Sequence, residues 1–344
     1  MSMASSITSR RIRTALVSAA LVTGLSFALA ARAQDRGMDD PFRAPYQQAL
    51  QGKTVVFVPL AMSMDIAQGW LAGLKKQLEP QGVKVTVRDP NWSISAGAEA
   101  ITSLIGEKPD VMVVHNPDVQ TYAKLLSRAE KAGIQVVQIN MRSDYQTVAF
   151  IGGDYVDIGE QETKAVINAC KGKSNKIAIL QGAPSSSASA YMLRGVTNVV
   201  AQHPEIEVVS SQAAGWDAAK AKGITQTVLK QHPDLCGIVG FWDTQDTGTA
   251  AAIKEADLAG KVFLATEGGG EQTGACDQVK AGVFDFYVDF DVPNQASDMA
   301  AMIKWLLQNK GKTGDAKGSV YSTLKFITQA NASSEGACWK VGKD

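Results

Sequence analysis

Carboxylates and indoles stand at the ends of predicted strands and the starts of predicted helices. The residues are Asp65, Asp217, Asp243, Glu267 and Asp291, with Trp216 and Trp242 directly beside two of them. A carboxylate accepts hydrogen bonds from two neighbouring hydroxyls, and an indole covers an apolar C–H face. The set therefore fits a small polyhydroxylated ligand, although each member alone is also typical of a helix cap or a core.

Motifs of catalysis and metal binding are missing from the sequence. There is no P-loop, no G-x-S-x-G turn, no H-E-x-x-H and no C-x-x-C. The histidines are scattered, and only His115 lies at the carboxyl end of a predicted strand. The glycine run 268–270 lacks the G-x-G-x-x-G spacing and is flanked by glutamates, which would repel an anion. We predict no catalytic residue, no cofactor and no metal ion.

The elements that must position these residues alternate from residue 53 onward. Strands are predicted at 54–60, 83–88, 111–115 and 135–139, with helices at 66–78, 96–105 and 119–132 between them. After 142–150 a second series has strands at 176–180, 206–211, 237–242 and 262–266. This alternation predicts two tandem, doubly wound α/β lobes with parallel sheets. Ligands of such sheets bind beyond the carboxyl ends of the strands, in loops such as 61–65, 140–144, 242–247 and 267–271.

The N-terminus has the pattern of a secretory signal peptide. Arginines at 10–13 precede an apolar stretch at 15–30, and residues 31–33, Ala-Arg-Ala, form a small-x-small cleavage site. The apolar stretch, of about sixteen residues, is short for a membrane span. We expect residues 1–33 to be removed on export, by either the general or the twin-arginine route.

Composition and charge argue against a nucleic-acid partner. Hydrophobic residues make up 45% of the chain, charged residues 20%, and the formal net charge is zero. A basic footprint that could neutralise phosphates is therefore absent from the sequence. A two-lobed DNA-binding regulator would also need a helix-turn-helix before the first lobe, where this chain has the leader.

The cysteines Cys170, Cys236, Cys276 and Cys338 all follow the leader. In an oxidising compartment they permit two disulfides, with three connectivities open. Cys170 and Cys236 each precede a predicted strand and could pair at one end of a sheet, which would leave Cys276 for Cys338. Buried free thiols are the alternative.

A collinear series of short motifs resembles the ribose-binding-protein family of type I periplasmic binding proteins. The motifs include VVFV at 55–58, PDVMVVHNP at 109–117, AGIQVV at 132–137 and FIGGD at 150–154. Further matches follow in the family's order at 179–182, 193–195, 215–217, 232–239 and 290–295. The resemblance covers residues 53 to 310.

The resemblance implies two lobes joined by a hinge of three crossings, near 152–153, near Asp291 and around residue 320. The lobes would comprise 53–153 plus 292–320 and 154–291 plus 321–344. The family's ligand-contacting positions carry over to Ser63, Met64, Asp65, Ile66, Asn140, Met141, Met192, Trp216, Trp242, Asp243, Glu267 and Asp291.

Several of these positions depart from the ribose-binding pattern. Asn140-Met141 stands in place of Asp-Arg, and Met192 falls on a second arginine position. Ile66-Ala67 replaces an aromatic pair, and Trp242 replaces an asparagine. A pocket without the two arginines is more acidic, so a polyol, a deoxy or differently shaped sugar, or an amine-bearing ligand fits better than ribose.

The resemblance implies a periplasmic binding protein of an ABC importer, which delivers a small neutral sugar or polyol to a membrane permease and could also engage a chemoreceptor. Two alternatives are a binding protein for an amine-bearing or other non-sugar ligand and a secreted glycoside-processing enzyme. The enzyme would need two carboxylates at about 5 to 10 Å, for which Asp243 and Glu267 are the candidates. Turnover of added glycosides would separate the two classes.

Overall fold

The computed structural model describes residues 40–311 and 316–342. The signal peptide expected at 1–33 lies outside the described residues. Within the described part of the chain, no helix is both long and apolar enough to cross a membrane.

Strands and helices alternate along the described chain. In order they are α1 (Arg43–Leu50), β1 (Thr54–Val58), α2 (Asp65–Leu78), a 3-10 turn (Glu79–Gln81), β2 (Lys84–Val87), α3 (Ile94–Glu107), β3 (Val111–Val114), α4 (Ala123–Lys131), β4 (Gln135–Ile139), β5 (Ala149–Gly152), α5 (Tyr155–Cys170), β6 (Lys176–Gln181), α6 (Ser187–Val200), β7 (Glu207–Ala213), α7 (Ala218–Gln231), β8 (Gly237–Gly240), α8 (Asp243–Glu255), β9 (Phe263–Gly268), α9 (Cys276–Lys280), β10 (Phe286–Asp289), α10 (Val292–Gln308), β11 (Gly318–Tyr321) and β12 (Lys325–Ile327).

Two six-stranded sheets organise these elements. The first has the order β11-β5-β4-β3-β1-β2, and the second has the order β12-β10-β9-β8-β6-β7. All neighbouring strands are parallel except β12, which is antiparallel to β10. We call the first sheet with its helices the first lobe, and the second sheet with its helices the second lobe. The predicted two-lobed α/β fold is confirmed.

The strands follow from their apolar sequences. In β3, VMVV, every side chain is buried, as expected for a parallel strand covered on both faces. The helices add one apolar stripe each. Leu104 of α3 and Leu126 of α4 pack with Met112 in the core of the first lobe. Val228 of α7 and Leu264 of β9 belong to the core of the second.

The helix predicted at 119–132 starts later than expected, at Ala123. Asp118 explains the delay, because its Oδ1 accepts hydrogen bonds from the backbone N–H groups of Gln120 and Thr121 at 2.8 and 2.7 Å. This bonding holds the segment before Ala123 in a turn instead of a helix.

The chain passes between the two sheets three times, after β5, after β10 and after β11. A hinge of three crossings was expected from the family resemblance. The assignment of residues to lobes given above, with its boundaries at 153, 291 and 320, stays a prediction.

Two disulfides lie in the second lobe. Cys170 pairs with Cys236 and Cys276 pairs with Cys338, with Cα–Cα distances of 5.5 and 6.1 Å. The structure therefore selects one of the three connectivities that the sequence left open. The first disulfide joins the end of α5 to the residue before β8, and the second ties the C-terminal segment to α9.

Candidate functional site

A cleft lies between loops at the carboxyl ends of the two sheets. The lining residues come from both lobes and are mostly apolar or aromatic: Leu60, Met64, Ile66, Trp92, His115, Asn140, Met141, Tyr155, Ala188, Trp216, Trp242, Glu267 and Phe290. Strand ends of both sheets are thus brought to one place.

Seven of the positions carried over from the family line this cleft: Met64, Ile66, Asn140, Met141, Trp216, Trp242 and Glu267. Ser63, Asp65, Met192, Asp243 and Asp291 do not. Whether any of the twelve contacts a ligand stays a prediction.

The carboxylates outside the lining are held by other groups. Asp243 accepts a hydrogen bond from the Tyr287 hydroxyl at 2.7 Å, and Asp65 accepts one from the backbone N–H of Ile66 at 2.6 Å. Asp291 caps α10 and forms an ion pair with Lys325 at 2.9 Å. These three carboxylates therefore stabilise loops and helix starts around the cleft.

Ser63 and Met192 also lie outside the lining. The Ser63 hydroxyl accepts a hydrogen bond from the Trp92 indole at 3.3 Å, so it positions a ring that does line the cleft. Met192 is fully buried in α6, where its backbone carbonyl faces Gly159 of α5.

Six lining residues were not among the candidates: Leu60, Trp92, His115, Tyr155, Ala188 and Phe290. For His115 a signal was present, since it is the histidine directly after a strand. Tyr155 follows Asp154, the cap of α5, and its hydroxyl donates to Asn140 Oδ1 at 2.7 Å. That hydrogen bond orients Asn140 toward the cleft but joins residues of different lobes, which no local pattern indicates.

The two candidate tryptophans have unusual backbones. Trp216 has φ 70° and Trp242 has φ 99°, values rarely adopted by bulky residues. Their rings pack edge to face with centroids 6.1 Å apart. The backbone N–H of Trp216 donates to Gln245 Oε1 at 2.9 Å. A Cβ on Gly182 would clash with the Trp216 ring, so glycine is required there. Backbone strain of this kind concentrates at binding sites.

Two lining residues carry buried polar atoms without a partner among the described residues. They are both ring nitrogens of His115 and Oε2 of Glu267. Burial lowers the pKa of His115 to about 3, so its imidazole is neutral and offers one donor and one acceptor. Burial, then the neighbouring Asp243 and Asp246, raise the pKa of Glu267 well above its ordinary value. Burial therefore favours the neutral form of both lining side chains.

The surroundings of Glu267 are acidic. Burial raises the pKa of Asp246 to about 8, and burial together with Glu267 and Asp246 raises the pKa of Glu162 well above its ordinary value. Among the described residues no lysine or arginine lines the cleft. The guanidinium of Arg142 lies 4.1 Å from the Phe150 ring centroid and donates to the Tyr321 hydroxyl at 2.8 Å.

Direct hydrogen bonds join the two lobes beside the cleft. The Val119 N–H donates to Ser185 O at 3.1 Å, and the Arg142 N–H donates to Ser187 Oγ at 3.0 Å. Ser186 Oγ also lies 3.0 Å from Met141 Sδ. In this conformation the loops of the lobes are closed against each other.

Comparison with known proteins identifies the family. The model of the periplasmic binding protein domain matches residues 55–312. The ribose import binding protein of Bacillus subtilis is 26% identical over 182 residues, 53% of this chain and 59% of its own length. The xylitol-binding protein of Mycolicibacterium smegmatis is 25% identical over 209 residues, 60% of this chain and 59% of its own length. The chain thus spans about three fifths of each of these relatives.

Solved structures share the fold. An ABC transporter solute-binding protein from Burkholderia graminis, in complex with D-arabinose, superposes with a TM-score of 0.75 at 20% identity. The match covers 83% of this chain and 98% of that one. The resemblance to ribose-binding proteins is confirmed, and the chain belongs to the periplasmic binding protein domain family.

Proposed function

We propose that this protein is the periplasmic substrate-binding component of an ABC importer. It captures a small neutral sugar or polyol between its lobes and delivers the ligand to a membrane permease. The observation that carries the proposal is the set of unpartnered polar atoms of His115 and Glu267, buried in a cleft lined by indoles. Buried hydrogen-bonding groups without partners are costly, and ligand hydroxyls would satisfy them.

The aromatic walls supply the complementary surface. Trp216, Trp242 and Trp92 present large apolar faces, and sugars carry C–H faces that such rings cover. Asn140 lines the same cleft, and because its Oδ1 is engaged by Tyr155, its amide N–H groups are the donors that it can offer a ligand. The names of the relatives, which include ribose and xylitol binders, support this ligand class.

Closure is the mechanism of capture. A ligand that touches Asn140 and Glu267 contacts both lobes at once, so it binds the closed form more tightly than the open form. It therefore shifts the population toward closure. The closed form, with its hydrogen bonds across the cleft mouth, is the one that a permease or a chemoreceptor would recognise.

Binding is favoured over glycoside hydrolysis by the positions of the acids. A glycosidase needs two carboxyl groups facing the scissile bond from the cleft. Asp243 lies outside the lining and its Oδ2 is held by Tyr287, so Glu267 has no such partner in Asp243.

A thermal-shift screen of the exported chain, from Gln34 onward, tests the proposal. Pentoses, hexoses, polyols, cyclitols, amino sugars and amino acids are compared at saturating concentration. A ligand at 100 times its dissociation constant should stabilise the protein by about 2.7 kcal/mol. Stabilisation by a neutral sugar or polyol is expected. Stabilisation only by amino acids or amines, or release of product from an added glycoside, would contradict the proposed function.

A further inference from the structure

The cleft offers few hydrogen-bond acceptors. Among its lining side chains, the oxygen and nitrogen acceptors belong to four residues, His115, Asn140, Tyr155 and Glu267. The Asn140 Oδ1 already accepts from the Tyr155 hydroxyl. Every ligand hydroxyl carries a proton that needs an acceptor when it is buried. The lining side chains can therefore satisfy a small number of ligand hydroxyls, namely those placed next to these residues.

The apolar residues that line the cleft offer only C–H surface to a ligand. Leu60, Met64, Ile66 and Phe290 line the same cleft and have no side-chain polar group able to bond a hydroxyl well. The indole N–H groups add donors but no acceptor. A hydroxyl turned toward these apolar residues would lose its hydrogen bonds to water without replacement.

The charged groups around the cleft further restrict the class of ligand. No lysine or arginine is among the described residues that line the cleft, and the nearby Arg142 guanidinium is engaged with Phe150 and Tyr321. A carboxylate or phosphate on the ligand would therefore meet buried acids and no cation in the described lining.

We propose that the site selects hydroxyl-poor ligands, namely deoxy sugars. The hydroxyls bond His115, Asn140 and Glu267, and the methyl or methylene group lies against Met64, Ile66 and Phe290. This inference rests on the proposed function and names the ligand class within it.

Isothermal titration calorimetry on matched pairs tests the inference. The pairs are D-fucose with D-galactose, L-rhamnose with L-mannose, and 2-deoxy-D-ribose with D-ribose. The tightest binder should be the hydroxyl-poor member of its pair, with a dissociation constant at least about tenfold below that of its partner. A factor of this size is expected because the apolar lining leaves the additional hydroxyl of the partner sugar without a hydrogen bond.

The outcomes separate this inference from the proposed function. If the tightest binder is a fully hydroxylated member, or if no pair differs by threefold, the inference is wrong and the proposed function stands. Tighter binding of an amino sugar than of every neutral compound overturns the inference as well. If no sugar or polyol binds, both fail together.

A variant pair locates the apolar face. Met64→Gln conserves volume and adds an acceptor to the wall, so it should reduce the preference for the hydroxyl-poor ligand at least about threefold. Met62→Gln makes the same change two residues away, outside the lining, and should keep the preference. An unchanged preference in Met64→Gln, or an equal loss in both variants, would contradict the placement of the C–H face.

Discussion

Single residues in the cleft are kept neutral by burial. Burial lowers the pKa of His115 to about 3 and raises the pKa of Glu267 well above its ordinary value, which favours the neutral form of each. A neutral group is far less costly to bury without a partner than an ion. The same groups bond a neutral ligand without separating charge. Because both groups favour the neutral form, we expect an uncharged ligand.

The contribution of the indole wall can be measured at Trp216. Trp216→Ala removes a ring from the cleft, and loss of the apolar area that it covers should weaken ligand binding about tenfold to hundredfold. Trp305→Ala is the control, because Trp305 is exposed on α10 and lies outside the cleft. Titration calorimetry should show a normal affinity for the control. Equal affinities of the two variants would rule out Trp216 as a ligand contact.

The pH dependence of protein stability should reveal the titration of the Asp246 carboxyl group. Burial raises its folded-state pKa to about 8, far above the value of an unfolded aspartate. Between about pH 4 and 8 the folded protein therefore holds an extra proton, and the free energy of unfolding falls as pH rises through this window. Asp246→Asn should reduce the fall between pH 5 and 8 by an amount on the order of a few kcal/mol.

Denaturant titrations at pH 5, 6, 7 and 8 give the comparison for Asp246. Asp234→Asn serves as control, since the ion pair with Lys176 lowers the pKa of exposed Asp234 and confines its contribution to acid pH. A slope in Asp246→Asn as steep as that of the unchanged protein would show that Asp246 is not the titrating group.

Elements in the second lobe pack closely through glycines. A Cβ on Gly159 of α5 would collide with the Met192 carbonyl of α6, and one on Gly195 of α6 would collide with the Val156 carbonyl. The two helices therefore approach backbone to backbone. The N-terminus of α6 carries Ser187, whose hydroxyl bonds the Arg142 N–H of the other lobe. The close helix contact thus positions a residue used in closure.

Substitution at Gly159 tests this packing. Gly159→Ala should destabilise the protein by about 1–3 kcal/mol, because the added methyl forces the helices apart. Gly223→Ala makes the same change on α7, where a Cβ would meet nothing within 4 Å, and should stabilise by about 0.5–1 kcal/mol. Urea unfolding measures both. If both substitutions stabilised the protein, helix propensity and not packing would govern Gly159.

On the scale of the whole molecule, the C-terminal segment reaches the region where the lobes meet. Trp339 donates its indole N–H to Gly269 O at 2.6 Å, and a Cβ on Gly269 would clash with Ile66 of the first lobe. The disulfide Cys276–Cys338 anchors this segment to α9. The crossings, the cleft loops and the chain end therefore form one connected region around the site.

Removing the two disulfides one at a time should distinguish their effect on protein stability from their effect on ligand affinity. The cysteines of the two pairs are 66 and 62 residues apart, so chain entropy predicts a similar loss of about 4 kcal/mol for each double Cys→Ser variant. Removal of Cys276 and Cys338 should also weaken ligand binding, because it frees Trp339 beside Gly269. Removal of Cys170 and Cys236 should leave the affinity unchanged in the folded fraction. Equal affinities of the two variants would contradict this role of the C-terminal segment.

Much of the architecture could be foreseen from local pattern. Apolar strands such as β1 and β3 alternate with amphipathic helices, and this periodicity specifies parallel sheets with helices on both faces. The loops at strand ends could also be named in advance, and Asn140, Trp216 and Glu267 do line the cleft. These features depend on residues close together in the sequence, which is why they were predictable.

The composition of the cleft depended on contacts over long separations. Tyr155 and Phe290 enter it from the two crossings after β5 and β10, and Asp243 is held outside it by Tyr287, 44 residues later. Which side chains line the cleft is set by the packing of the two lobes against each other. Periodicity assigns a residue to an element and a face, but the position of one lobe relative to the other arises only when the whole chain has packed.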